Sequence, residues 1–234
     1  RRGFGGLVMA KPAMTAADHK LVSDAVAAAE ANSAGEIVTI ITPRSDPYHD
    51  VALMWSALAA FLALSALEIA PGAMLSLVER ALGLWAFDWT ARAVIGLALT
   101  VTALKFAVMY LLMRFTPLGL WLTPRFIRNA RVRKRALTCF RVGAESRTSG
   151  RTGVLIYVSL DEHHAEIIAD AAIASKVAPE TWGHAMKAML DPLRAGQIAQ
   201  GIAAAVAEVG KVLAEHFPRS DDDTNELPDR LIEV

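Results

Sequence analysis

Residues 51–67 read VALMWSALAAFLALSAL and residues 93–113 read AVIGLALTVTALKFAVMYLLM. The first stretch holds 17 residues without a charge, and apolar character resumes past Glu68 through Pro71 to Val78. The second holds 21 residues with one charge, Lys105. About 20 apolar residues in a helix cross the roughly 30 Å of hydrocarbon in a bilayer. The connection from Glu79 to Arg92 is short and carries Trp85 and Trp89, residues suited to the headgroup zone. The two stretches therefore read as a transmembrane hairpin.

Charge gives its orientation. No acidic residue lies between Asp88 and Glu145, while Arg114, Arg125, Arg128, Arg131, Arg133, Lys134, Arg135 and Arg141 follow the second stretch. Basic residues near a span stay on the cytoplasmic side. Two crossings return the chain to the side on which it began, so both termini are expected in the cytoplasm of a bacterium, with the hairpin in its inner membrane. Residues before and after the hairpin can then build one domain together.

The remaining segments read as an N-terminal segment 1–15, a first domain part 16–50, the hairpin 51–113, a second domain part 114–218 and an acidic tail 219–234. Arg1-Arg2-Gly3-Phe4 precedes an apolar run too short, Leu7 to Ala10, for a secretory or twin-arginine signal. The 24 basic and 24 acidic residues balance, so net charge selects no partner. Cys139 is the only cysteine; it excludes an intrachain disulfide, suits a reducing compartment, and reads as a small apolar residue of a helix.

Along the flanking parts, Thr15 can cap a helix to about Asn32, with Val22, Val26 and Ala29 at helical spacing and Gly35 as the stop. Glu36 to Thr42 is β-branched and ends at Pro43, which predicts a strand. Pro124 to about Thr148 predicts a basic helix with Ile127, Ala130, Leu137, Phe140 and Ala144 as its apolar face. Val154 to Leu160 reads as a buried strand, paired through a tight connection with Ala165 to Ala169 as an antiparallel hairpin. Two helices follow, from about Ala178 to Gly196 and from Gln197 to Phe217. Asn225 to Ile232 regains enough apolar character to dock. This order argues for an α/β layered domain.

Ser33-Ala34-Gly35-Glu36-Ile37-Val38 and Thr152-Gly153-Val154-Leu155-Ile156-Tyr157-Val158-Ser159-Leu160-Asp161-Glu162, with the later helices and the pair Gly196 and Gly201, resemble the TPM domain family, also called TPM_phosphatase. The resemblance covers about 16–45 and 126–217, and the inserted hairpin resembles a bacterial membrane-bound subset. It implies a three-layer α/β/α sandwich, and for some members divalent-cation binding with weak acid phosphatase activity. The chain departs where chemistry is concerned. After the third strand the family tends to a glycine-rich acidic turn, whereas this chain reads Asp170-Ala171-Ala172-Ile173; after Gly196 it carries Gln197 and Ile198 in place of an acidic and an aromatic residue.

Asp161, Glu162, His163 and His164 crowd one connection, with Glu36 and Asp170 at strand ends as further donors. Carboxylates with water would take Ca²⁺ or Mg²⁺, and the histidines would admit Zn²⁺. A solvated polar turn accounts for the same residues without a metal. Arg147 and Arg151 flank Thr148-Ser149-Gly150, a stretch that could hold an anion or serve as a plain loop. No HExxH, phosphate-loop or G-x-S-x-G pattern occurs. Arg125, Arg128, Arg131, Arg133, Lys134 and Arg135 follow a span and lack interleaved aromatics, which argues for anionic lipid over nucleic acid. Lys105 is expected to snorkel toward the nearer surface, too far along its helix to meet Glu68. The motif departures point to a membrane protein with a non-catalytic or regulatory cytoplasmic module that can contact another protein. The alternative is a divalent-metal-dependent phosphomonoesterase.

Overall fold

The computed structural model describes residues 14–84, 87–143, 152–219 and 230–234. In chain order the elements are α1 (Ala16–Glu30), β1 (Glu36–Thr42), α2 (His49–Ile69), α3 (Pro71–Leu82), α4 (Ala91–Phe115), α5 (Leu118–Trp121), α6 (Arg125–Gly143), β2 (Gly153–Ser159), β3 (His164–Ala169), α7 (Ala171–Ala174), α8 (Trp182–Arg194), α9 (Ile198–His216) and β4 (Leu231–Glu233). They form two compact units. One joins residues 1–46 to 126–234; the other is 47–125.

The first unit is a mixed α/β domain around a sheet of order β3-β2-β1-β4. β1 pairs in parallel with β2 and with β4, while β2 and β3 form the antiparallel hairpin expected from sequence. All seven residues of β1 and of β2 are buried, as an uninterrupted β-branched run requires when both faces are covered. Side chains alternate between faces. Ile37, Ile41, Val154, Ile156 and Val158 pack with Val22 and Val26 of α1, Met189 of α8 and Ile202, Val206 and Val209 of α9. Val38, Ile40, Leu155 and Tyr157 pack beneath Val132, Ala136 and Phe140 of α6. The sheet is thus sandwiched between α6 and the layer of α1, α8 and α9.

Local chemistry fixes the helix ends. Thr15 and Asp18 form a reciprocal cap at the start of α1, each side chain serving the other's backbone N–H. At Gly210 an added Cβ would lie 2.6 Å from that of Ala29, so glycine lets α9 and α1 approach closely.

One expectation needs correction. The buried seam of α6 is Val132, Ala136 and Phe140, with Cys139 beside them; Ala130 is exposed and Leu137 only half-buried. The docking segment near the C-terminus is β4, whose Leu231, Ile232 and Glu233 extend the sheet beside Thr39, Ile40 and Ile41. Ala144, Trp85 and residues 1–13 lie outside the described residues.

The second unit contains α2 to α5. Tyr48, Val51, Ala52 and Met113 form its buried cluster, joined by Trp55, Met109, Tyr110, Leu118, Leu120 and Leu122. Away from that cluster α2 buries only small residues, Ser56 and Ala60. α4 buries only Met113 among 25 residues, and Leu53, Leu58, Phe61 and Leu62 of α2 with Ile95, Leu99, Leu104 and Leu111 of α4 are exposed.

Candidate functional site

The parallel pairing of β1 with β2 sets two polar zones apart. On the face beneath α6 the register makes four rows: Glu36 with Gly153, Val38 with Leu155, Ile40 with Tyr157, and Thr42 with Ser159. β3 extends the last three with Ile168, Glu166 and His164 in turn. Between β1 and β2 the two middle rows join the core beneath α6, while Glu36 at one end and Thr42 with Ser159 at the other are polar.

At the carboxyl end, the ladder continues past the strands through Leu160 N–H to Thr42 O and Asp161 N–H to Pro43 O, at 3.0 and 2.9 Å. This holds the 43–46 loop against the connection after β2. Ser45 is the hub. Its hydroxyl lies 3.0 Å from the Tyr157 hydroxyl and donates to Ser159 Oγ at 2.9 Å. Ser159 in turn donates to Glu162 Oε2. Burial pushes the Tyr157 phenol above its ordinary range, and it stays a donor. The protons then run one way, from Tyr157 through Ser45 and Ser159 to the Glu162 carboxylate. Ser45 N–H also donates to Glu162 Oε1 at 3.1 Å.

Charges around this chain are matched. Arg44 Nε donates to Asp161 Oδ2 at 2.9 Å, and Arg131 of α6 donates to Asp46 Oδ1 at 2.8 Å. His164 Nε2 lies 2.9 Å from Glu166 Oε1, with Arg133 3.7 Å from the other Glu166 oxygen. His163 adopts a left-handed backbone, φ 50°, with Nδ1 3.1 Å from Asp161 O. The Thr42 hydroxyl donates to Val234 O at 2.8 Å, fixing β4.

The amino end carries the other polar row. Glu36 faces Gly153 across one ladder, and Asp170 N–H donates to Gly153 O at 2.9 Å across the other. Both acids are buried. Asp170 Oδ1 accepts from Ala171 N–H at 2.7 Å and caps α7, while its buried Oδ2 has no hydrogen-bond partner among the described residues. Glu30 Oε1 accepts from Ile37 N–H at 2.7 Å nearby.

The six residues singled out as metal donors therefore fall into two groups. Asp161, Glu162, His163 and His164 lie at the carboxyl end; Glu36 and Asp170 lie at the amino end, about 20 Å away for a strand of this length at roughly 3.3 Å per residue. Because β1 and β2 run the same way, the Asp161–His164 turn and Glu36 lie at opposite ends of the sheet. Among the described residues no group of three or more His, Cys, Asp or Glu is placed to hold a metal ion.

Sequence reasoning missed Ser45, Tyr157, Ser159, Arg44 and Asp46. One signal was available: Tyr157 and Ser159, two apart in a buried strand, must put their hydroxyls on one face. Of the basic residues assigned to lipid, Arg131 is bound to Asp46, whereas Arg125, Lys134 and Arg135 are exposed. Cys139 lies in the α6 seam, and burial raises its thiol pKa. Arg147, Thr148-Ser149-Gly150 and Arg151 lie outside the described residues.

Residues 125–212, from the start of α6 into α9, match the TPM domain, TPM_phosphatase. The fold is also that of the BA42 protein from the psychrophilic bacterium Bizionia argentinensis, known from an NMR structure. The TM-score is 0.56 at 19% identity, over 96% of this chain and 97% of that one. No curated protein matches. The matched segment begins after β1, although β1 lies between β2 and β4 in the sheet. The TPM-domain match of this chain is thus confined to residues 125–212, which but for Arg125 belong to the α/β unit.

Proposed function

We propose that the protein is an integral membrane protein of a bacterial inner membrane whose TPM domain works in the cytoplasm as a non-catalytic, regulatory interaction module. The observation that carries the membrane part is the surface of α2 and α4. These helices have 21 and 25 residues, enough to cross, and their leucines and phenylalanines face outward. A buried core helix would hide those side chains in protein; these have no such cover in their own unit. Phe115 and Trp121, both exposed, follow the second span with Arg114 and Arg125, an aromatic and basic belt suited to a cytoplasmic interface. Arg125, Arg128, Arg133, Lys134 and Arg135 would meet anionic lipid, each worth about 1 kcal/mol near the surface.

The non-catalytic part is supported by the carboxyl-end network. Arg44, beside Ser45 in the chain, and Arg131, which reaches Asp46 in the same loop, are each paired with a carboxylate, and Glu162 is engaged by two donors. Such a set fixes a loop and offers little charge to a phosphoryl group. Topology is tested with single cysteines in a Cys139→Ser background. Arg80→Cys should react with an impermeant maleimide in intact cells, and Lys211→Cys only after permeabilisation. The reverse pattern rejects the orientation.

A second reading, a divalent-cation site serving phosphate-ester hydrolysis, is favoured by the buried Asp170 Oδ2, which has no hydrogen-bond partner among the described residues, at the same end of the sheet as buried Glu36. A buried oxygen of this kind calls for a partner, and a hard cation is one. Millimolar Ca²⁺ or Mg²⁺ should then raise the melting temperature, and Asp170→Asn should abolish the rise while Asp161→Asn leaves it. No cation-dependent shift removes this reading.

A further inference from the structure

The connection between the two apolar helices is itself structured. α2 rises about 31 Å at 1.5 Å per residue, a full hydrocarbon thickness by Ile69. At Ala70 the backbone leaves the helix, φ −134° and ψ 60°, and α3 starts at Pro71. Its 12 residues cover about 18 Å, too short to cross back. α3 ends at Gly83 in the left-handed conformation, φ 67°, and α4 starts at Ala91.

The faces of α3 are chemically split. Met74, Leu75, Val78, Ala81 and Leu82 follow the i, i+1, i+4, i+7, i+8 spacing of one side, flanked by Leu77. Ser76, Glu79 and Arg80 take the opposite side. No residue of α3 is buried, and Leu77 and Leu82 are 55% and 67% exposed. The segment leading into α4 is tied to the polar side: Trp89 Nε1 donates to Glu79 Oε1 at 2.6 Å, and Trp89 meets Phe87 edge to face at 4.9 Å.

We infer that α3 lies in the plane of the membrane surface away from the TPM domain, its apolar side in the acyl boundary of that leaflet and its polar side in the headgroups. The occupant of the exposed face is lipid. It is continuous in the chain with two helices whose outward surfaces are equally apolar, and an indole–carboxylate pair at headgroup depth marks the polar border. The inference rests on the membrane reading of α2 and α4.

The full chain in a Cys139→Ser background is spin-labelled at Ser76, Leu77, Val78, Arg80 and Leu82, and at Phe61 and Leu99 within the long helices. It is reconstituted in phosphatidylcholine–phosphatidylglycerol vesicles, and collisions with oxygen and with a water-soluble nickel chelate are compared. Val78 and Leu82 should be oxygen-rich and nickel-poor, Ser76 and Arg80 the reverse, with a helical period. Uniform nickel access from 76 to 82 while Phe61 and Leu99 stay protected overturns the inference and leaves the spans intact. Protection of Val78 and Leu82 from both reagents shows protein cover and overturns it as well. Nickel access at Phe61 and Leu99 overturns the membrane reading, and the inference falls with it.

Discussion

Helices α9 and α4 are built from much the same small and branched apolar residues, yet the protein treats them differently. α9 buries Ala199, Gly201, Ile202, Ala205, Val206, Val209, Gly210 and Leu213 against α1, α8 and the sheet, and turns Lys211 and Glu215 to solvent. α4 buries Met113 alone. The difference lies in where polar residues are placed. α9 has a polar side on which an apolar side can be defined, so protein covers the latter. α4 spreads Leu, Ile and Val around its circumference, which only an apolar solvent or a large protein interface can satisfy.

A charge placed in each helix sharpens the contrast. Ile202→Asp puts an unpaired carboxylate in the sealed core and should cost more than about 4 kcal/mol, enough to prevent folding of the α/β unit by circular dichroism. Leu99→Asp should leave that unit folded and instead oppose insertion by about 2.5–3.5 kcal/mol, read as protein lost from the membrane fraction. Equal unfolding by both would erase the distinction.

Smaller effects probe how the α/β unit is closed. Leu231→Ala empties a buried site on β4 and should lower stability by about 2–4 kcal/mol in urea unfolding. Ser45→Ala removes the hub between Tyr157 and Ser159 and should cost about 1–2 kcal/mol, with the 43–46 loop gaining amide exchange. Thr15→Ala removes the α1 cap for about 1 kcal/mol.

Much of this architecture is legible in the chain because it rests on local pattern. Glu36 to Thr42 and Val154 to Leu160 are β-branched runs bounded by turn residues, and the connection at Asp161-Glu162-His163 is too short for anything but an antiparallel return. What escapes is set by tertiary choice. The seam of α6 falls on Val132, Ala136 and Phe140 because a helix lying on a sheet needs only a narrow stripe. Small Ala136 permits close approach, while bulkier Ile127 and Leu137 stay partly outside. β4 is three residues long after an acidic stretch, and its strand character comes from pairing with β1. Which of the candidate metal donors converge is hidden from sequence spacing because it depends on strand direction; parallel β1 and β2 send Glu36 and Asp161 to opposite ends.

The first strand of the α/β domain is separated in the chain from the others by the apolar helices α2 to α5, which we propose form a membrane hairpin. The most direct test of this arrangement compares the full chain with one in which a Gly/Ser linker joins Asp46 to Phe126, using alkaline carbonate extraction of membranes and urea unfolding. The full chain should remain in the membrane pellet. The shortened chain should be soluble, unfold in one cooperative transition, and lose that transition when residues 16–42 are deleted. A full chain released by carbonate, or a shortened chain indifferent to loss of 16–42, would contradict the account.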